Sequence, residues 1–306
     1  MKDYYPEGVL LNTAENKKYL QCITALNMAK DSGAILEAIA IMCDNEHNLI
    51  VDLGCMRGII PRAEGAIGIA DGTTRDIALI SRVGRAVCFT VTDFKTDENG
   101  KSYAVLSRRI AQEKCRAYIL ENKCVGDIID AKITHLESFG AFCDIGCGNI
   151  ALMPIDAISV SRISHPKDRF NVGDNIKAVI KNIDDSQKIT LSHKELLGTW
   201  QENADMFCMG QTVSGIVRSI EDYGIFIELA PNLAGLAEPK EGVKVGQCAS
   251  VYIKSIIPEK MKIKLIIINS FDSEFEIPNK YFYENQHISE FTYSPENSVK
   301  QIKTYF

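Results

Sequence analysis

One strand-turn-strand unit recurs along this chain, and its period sets the architecture more firmly than any single motif. The clearest copy lies between Gly126 and Lys194. It opens Gly126-Asp127-Ile128-Ile129-Asp130-Ala131-Lys132-Ile133, continues Phe139-Gly140-Ala141-Phe142-Cys143-Asp144-Ile145-Gly146, and closes with Val179 to Asp185 and Ile189-Thr190-Leu191-Ser192. About 84 residues further on, Gly215-Ile216-Val217-Arg218 and Tyr223-Gly224-Ile225-Phe226-Ile227-Glu228-Leu229 repeat it. A worn copy comes earlier. Leu49-Ile50-Val51-Asp52-Leu53-Gly54 matches 141–146, Gly58-Ile59-Ile60-Pro61 matches 151–154, and Tyr103 to Arg108 ends it. Alternating apolar runs, a glycine between aromatics and a last strand with a basic exit predict a small five-stranded barrel, and the worn copy keeps its strands without the aromatics.

The rest of the chain is laid out around these copies. An N-terminal helical extension covers 1–32, with one helix over 12–31 that Asn12 caps with Glu15 three residues on. Tyr19, Leu20, Ile23 and Leu26 form its apolar stripe. The first barrel takes 33–108, a linker helix 109–124, the second barrel 125–194, a second linker helix 195–209 and the third barrel 210–269. Asp97-Glu98-Asn99-Gly100 is the turn signal before the last strand of the first barrel. Trp200, the single tryptophan, reads as an anchor between the second linker and a barrel, with base stacking the lesser alternative. The remaining 270–306 are too rich in aromatics for a disordered tail and are expected to fold back on the third barrel.

Composition excludes several classes. No apolar run approaches the roughly 20 residues that span a bilayer, so no membrane partner is expected. The start has no basic segment followed by an apolar core. The ten cysteines form no CxxC pair. Cys143 and Cys147 come closest, but no His or Cys is spaced to complete a zinc site, so neither metal nor cofactor is expected. Reduced, scattered thiols point to the cytoplasm. None of HExxH, GxxxxGK[ST], GxSxG or GxGxxG is present, and the acids are dispersed, so the chain is not expected to be an enzyme. A net charge of −6 argues against coating nucleic acid by charge alone. A polyanion would have to be held by local basic tracks and stacking.

The residues quoted above resemble the S1 RNA-binding domain, an OB-fold variant, and three tandem copies are similar to the bacterial ribosomal S1 family over roughly 240 residues. The resemblance implies an all-β chain of three five-stranded OB-fold barrels joined by short helices. It also implies a partner, single-stranded RNA. Unstacked bases need flat side chains, and phosphates need Lys or Arg placed along them. Phe139 and Phe142 fit the first need, and Tyr223 and Phe226 repeat them beside an equivalent glycine. Residues three apart in a strand face opposite ways, so a bulge at Gly140 is expected to bring both rings outward. Lys132, Lys181 and Lys188 serve the second need in the middle copy, and Arg218, Lys254, Lys260 and Lys262 in the last. The family's acid and base after the fourth strand fall on Asp184 and Lys188. In the third copy the same places hold Pro258 and Lys262.

The copies also depart from that family. Its His after the third strand is replaced by Pro61, Pro154 and Glu238. The first copy holds His47 and Ile50 at the aromatic positions, and the resemblance implies for it a protein-docking role, on the small ribosomal subunit. Only the third copy has net positive charge, +1 against −2 for each of the others. The loop 161–169 is basic and either extends the RNA track or is simply solvated. Two other readings stand beside ribosomal RNA binding: a regulator of transcript turnover or gene expression, and an interaction scaffold whose barrels no longer bind RNA.

Overall fold

The computed structural model describes residues 4–273, 275, 277–283 and 285–306. Three closed barrels dominate it. The first is built from β1 (Leu36–Cys43), β2 (Leu49–Asp52), β3 (Arg57–Ile60), β4 (Ala86–Thr96) and β5 (Ser102–Ser107). The second comprises β6 (Ile128–Glu137), β7 (Gly140–Asp144), β8 (Ile150–Pro154), β9 (Asn175–Ile183) and β10 (Ile189–Ser192). The third comprises β11 (Thr212–Glu221), β12 (Gly224–Ala230), β13 (Leu233–Ala237), β14 (Cys248–Ile257) and β15 (Lys262–Phe271). All three share one circuit: the first strand pairs the second and fourth, and the fifth lies parallel to the third. This is the five-stranded OB-fold barrel. Closure removes the edges that would otherwise pair with other chains.

The chain divides into two compact units. The first takes the chain up to Lys123 with Asp130–Lys132 and Asp144–Ile150, and the second holds the remainder. In the first unit the N-terminal extension is two helices, α1 (Ala14–Leu20) and α2 (Ile23–Ser32), instead of one. Thr13, not Asn12, is the cap, accepting from the Asn16 N–H. The break at Cys22 lets Leu26 and Ala29 enter the first barrel's core, while Ile23 is left exposed. A short α3 (Ile77–Ile80) precedes β4, and α4 (Arg108–Asn122) follows β5. Glu7 is buried, and its carboxylate accepts from Arg108 Nε at 2.7 Å, Arg108 Nη2 at 3.0 Å and Arg82 Nη1 at 3.2 Å. Burial opposes its charge, but Arg108 outweighs burial and holds the carboxyl below its ordinary range. The Glu7 N–H donates to Asp144 Oδ2 at 2.7 Å. Burial, followed by the charge of Glu7, pushes Asp144 up to about 6.

The second unit is welded by a different carboxylate. Glu228, fully buried on β12, takes Arg169 Nη2 on Oε1 at 2.5 Å and Arg218 Nε on Oε2. Arg218 Nη1 also reaches Asp168 at 3.4 Å. Residues 168–169 come from the second barrel and 218 and 228 from the third. Beside this cluster the β12–β13 turn inserts Asn232, whose Nδ2 donates to the carbonyls of Lys194 and Gly198 at 2.7 and 2.8 Å. Its Oδ1 accepts the Val160 N–H at 2.9 Å. The second linker is a 3₁₀ turn, Lys194–Leu197, followed by α5 (Trp200–Ala204), which Thr199 and Glu202 cap reciprocally. Trp200 is buried in the third barrel's core with Leu196, Val217 and Leu233, which excludes base stacking.

The tail packs on both barrels of this unit, where only the third was expected. Ile288, Phe291 and Tyr293 join the third barrel's core, and Tyr293 Oη donates to the Asn232 carbonyl at 2.6 Å. Tyr281 stands 3.2 Å from Nε2 of the buried His193 behind the second barrel. The tail's own strands, β16 (Glu290–Thr292) and β17 (Lys303–Tyr305), pair with each other.

Removing one partner of a buried ion cluster leaves the others charged and unsolvated, at about 3–5 kcal/mol. Glu228→Ala is therefore expected to destabilise the second unit by that amount. Denaturation of the full chain followed by Trp200 fluorescence reads it directly, because no other tryptophan contributes. Replacing Glu228, Arg169 and Arg218 together by Leu, Met and Met should recover most of the loss.

Candidate nucleic-acid interface

The paired aromatics arise from a hairpin rather than a bulge. In the third barrel Glu221 pairs Gly224, leaving Asp222 and Tyr223 as a two-residue turn. In the second, Ser138 and Phe139 lie between β6 and β7 in the same way. No bulge at Gly140 is needed to bring both rings outward: Phe139 escapes strand alternation because it lies in the turn, while Phe142 lies in β7. The glycine has another purpose. A Cβ on Gly140 would stand 2.4 Å from the Met153 carbonyl oxygen, and one on Gly224 2.6 Å from that of Ala237. Gly224 also has φ +156°. Only glycine lets the second strand start hard against the third and so fixes the turn that carries the ring.

The result is the same in both barrels. Phe139 and Phe142 meet edge to face with centroids 5.9 Å apart, and Tyr223 and Phe226 do so at 6.1 Å. The turn ring is exposed, 55% for Phe139 and 68% for Tyr223, and the strand ring is half-buried. Such pairs hold each other by quadrupole attraction while leaving ring faces open. His135 adds a third ring to the second barrel, 6.2 Å from Phe142, with Nε2 2.6 Å from Glu137. No sequence signal marks it, since it resembles any polar residue of an alternating strand.

Register supplies the basic side. In the third barrel Ser219, Phe226, Leu236, Lys264 and Ser255 are successive partners across five strands. Lys262 and Lys264 share the outer face of β15, exposed at alternate positions. Lys264 is thus the lysine in line with Phe226, a placement only the strand pairing reveals. Lys254 falls in a bulge of β14, between Ile253 and Ser255, and Lys181 falls in the corresponding bulge of β9, opposite the step from Thr190 to Leu191. The two lysines are equivalent. Bulges re-aim a side chain without disturbing the barrel. Lys260 is exposed in the turn between β14 and β15, as Lys188 is between β9 and β10.

Three expected contacts are taken up elsewhere. Arg218 lies in a bulge of β11 but is spent on Glu228 and Asp168. Lys132 donates from Nζ to the Glu7 carbonyl at 3.0 Å. The Asp184 carboxylate accepts the Lys188 N–H at 2.8 Å and shapes that turn. In the loop 161–169, Arg169 is likewise buried on Glu228, and Arg162 and Lys167 remain exposed. The matching row of the first barrel reads Met42, Ile50, Ile59, Val105 and Asp93, with neither ring nor lysine.

Residues 123–194 match the family model described as S1 RNA binding domain. Over 281 residues the chain is 29% identical to small ribosomal subunit protein bS1 of Staphylococcus aureus (strain COL), covering 86% of this chain and 67% of that protein. The chain is similar in sequence to bS1. It is 28% identical over 234 residues to the bS1 homolog of Bacillus subtilis (strain 168), covering 71% of this chain and 58% of that one. It therefore spans about two thirds or less of these bS1 proteins' length. A crystal structure of a multidomain protein with nucleic acid binding domains from Streptococcus pneumoniae matches 78% of the chain, at a TM-score of 0.26 and 15% identity. The S1 match falls on the middle barrel, the one with His135 beside its aromatic pair.

Gly224→Ala is expected to cost on the order of 1–3 kcal/mol by forcing Cβ against the Ala237 carbonyl in a backbone region L residues avoid. Trp200 fluorescence during denaturation measures it. Gly242→Ala, with positive φ but open space around its Cβ, serves as the control for strain alone.

Proposed function

We propose that the second and third barrels bind single-stranded RNA with little sequence preference, and that the first barrel docks on a protein partner, the small ribosomal subunit, in translation. The observation that carries this is the recurrence of one device in two barrels. A glycine-locked turn presents an exposed ring at right angles to a half-buried one, and an exposed or half-exposed lysine stands in the fourth-strand bulge. Bases stack on the rings, and Lys181, Lys188, Lys254, Lys260, Lys262 and Lys264 follow the phosphates. Stacking is indifferent to base identity because every base has a π-face. The name of the matching family and the similarity to bS1 support the same reading. It is a binding protein and not an enzyme, acting in the cytoplasm.

The first barrel lacks the device, and its row of Met42, Ile50, Ile59 and Val105 gives bases nothing to stack on. Ile41 and Met42 are 55% and 51% exposed on β1. Apolar side chains of that size on an outer strand fit a protein surface better than a polyanion.

Phe142→Ala and Phe226→Ala are each expected to weaken binding of a labelled oligonucleotide by about 1–3 kcal/mol, roughly 5- to 150-fold. Affinity should fall with salt, and the Lys262→Ala, Lys264→Ala double variant should make the log–log slope shallower by about 1.4. Equal affinities for wild type and both aromatic variants would overturn stacking, and a wild type that binds no oligonucleotide would leave the scaffold reading instead.

In lysate fractionation at low salt the wild-type protein should travel with small subunits. Ile41→Asp with Met42→Asp should release it while oligonucleotide affinity stays unchanged. A protein that never enters that fraction, yet still binds RNA, would be the regulator of transcript turnover.

A further inference from the structure

Cys124, Asp127 and His287 are far apart in sequence and adjacent in the second unit. Their donor atoms all lie within 4.8 Å of one another. His287 Nδ1 stands 2.8 Å from Asp127 Oδ1 and 4.0 Å from Cys124 Sγ. The backbone that carries them is fixed on both sides. Asp127 and His287 form an antiparallel bridge, with the Ile128 N–H on the Gln286 carbonyl at 2.9 Å and the Ile288 N–H on the Gly126 carbonyl at 2.8 Å. Asp127 is held again from the barrel side, its carbonyl accepting the Ile180 N–H at 2.9 Å. Its second carboxylate oxygen accepts the Cys124 N–H at 2.9 Å. Gly126 is required here, because a Cβ would fall 2.2 Å from the Ile288 carbonyl oxygen.

We propose that Cys124, Asp127 and His287 form a Zn²⁺ site that staples the C-terminal tail to the second barrel. The donor set chooses the metal. A thiolate, an imidazole and one carboxylate suit a borderline-soft ion, whereas Mg²⁺ and Ca²⁺ take oxygen. Bond lengths of about 2.0–2.3 Å at tetrahedral angles separate donor atoms by roughly 3.3–3.6 Å. The observed 2.8 and 4.0 Å lie on either side of that spacing, so small side-chain rotations admit the ion. Binding exchanges the imidazole–carboxylate hydrogen bond for two metal bonds: solvent carries the Nδ1 proton to Nε2, leaving a neutral imidazole, and the Cys124 thiol proton is released to solvent. Water takes the fourth position. The ion closes a loop from residue 124 to residue 287, which includes the whole third barrel, so it stabilises the unit by restricting a long segment of unfolded chain. The site is independent of the RNA-binding reading and stands if that reading fails.

The test uses the full chain, stripped with a chelator and titrated with Co²⁺ and then Zn²⁺. One equivalent of Co²⁺ should give a thiolate-to-metal charge-transfer band, which Zn²⁺ abolishes by displacement. Cys124→Ser and His287→Ala should each remove the band, and Cys208→Ser, which changes another exposed thiol, should keep it. Zn²⁺ should raise the thermal transition of the wild type and leave that of Cys124→Ser unmoved, with circular dichroism showing both folded. Absence of a stoichiometric band, or a band that survives Cys124→Ser, overturns the site.

Discussion

Two guanidinium groups from different barrels share the carboxylate of Glu228, and the second unit depends on that arrangement. Arg169 and Glu228 are almost wholly removed from water and Arg218 nearly so. Burial pulls Arg169 down, against the charge and hydrogen bond of Glu228, which hold the guanidinium protonated. A buried ion cluster of this kind adds little net stability relative to an apolar joint. What it adds is geometry: each oxygen of Glu228 accepts from one arginine, and a shift in register leaves a charge unmatched. Asn232 reinforces this with hydrogen bonds to three backbone groups in fixed directions. The joint is directional where an oily contact would let the barrels slide.

Arg218 also shows how the same bulge in different strands serves different ends. Each bulge frees one side chain from pairing. In β11 that residue is Arg218, turned toward its own molecule. In β14 it is Lys254, exposed to solvent. In β1 of the first barrel the freed residue is Ile41, apolar and exposed. One backbone irregularity thus places a structural cation, a surface cation and an apolar patch, and the side chain chosen decides which.

The barrels were legible in the sequence because their signals are local and repeated. Alternation, turn residues and an aromatic-glycine pair each need only a few consecutive residues, and three copies checked one another. In the sequence a ring three residues from its partner looks like a strand problem that a bulge at Gly140 would solve, whereas the two-residue turn solves it without one. Arg218 and Lys132 look like surface cations in the sequence because their partners, Glu228 and the Glu7 carbonyl, lie at positions that no local pattern connects with them. Asp184 looked like half of a charge pair, but its carboxylate binds the backbone of the same turn. No local pattern marks Lys264, because its relation to Phe226 runs through β13 and exists only in the strand pairing.

The limit is sharpest for groups whose meaning lies in convergence. Metal-site reading from sequence relies on short spacers, since two ligands on one turn or hairpin cost little loop entropy to bring together. Cys124 and Asp127 supply only half of such a pattern, and His287 arrives from the far side of the third barrel. That separation is closed only by the rest of the unit: the Glu228 joint sets the third barrel against the second, Trp200 and Tyr293 dock the linker and the tail, and the bridge to His287 rests on those contacts. Such a ligand set reports on the integrity of the unit, and the shortest window of sequence that contains it runs from 124 to 287.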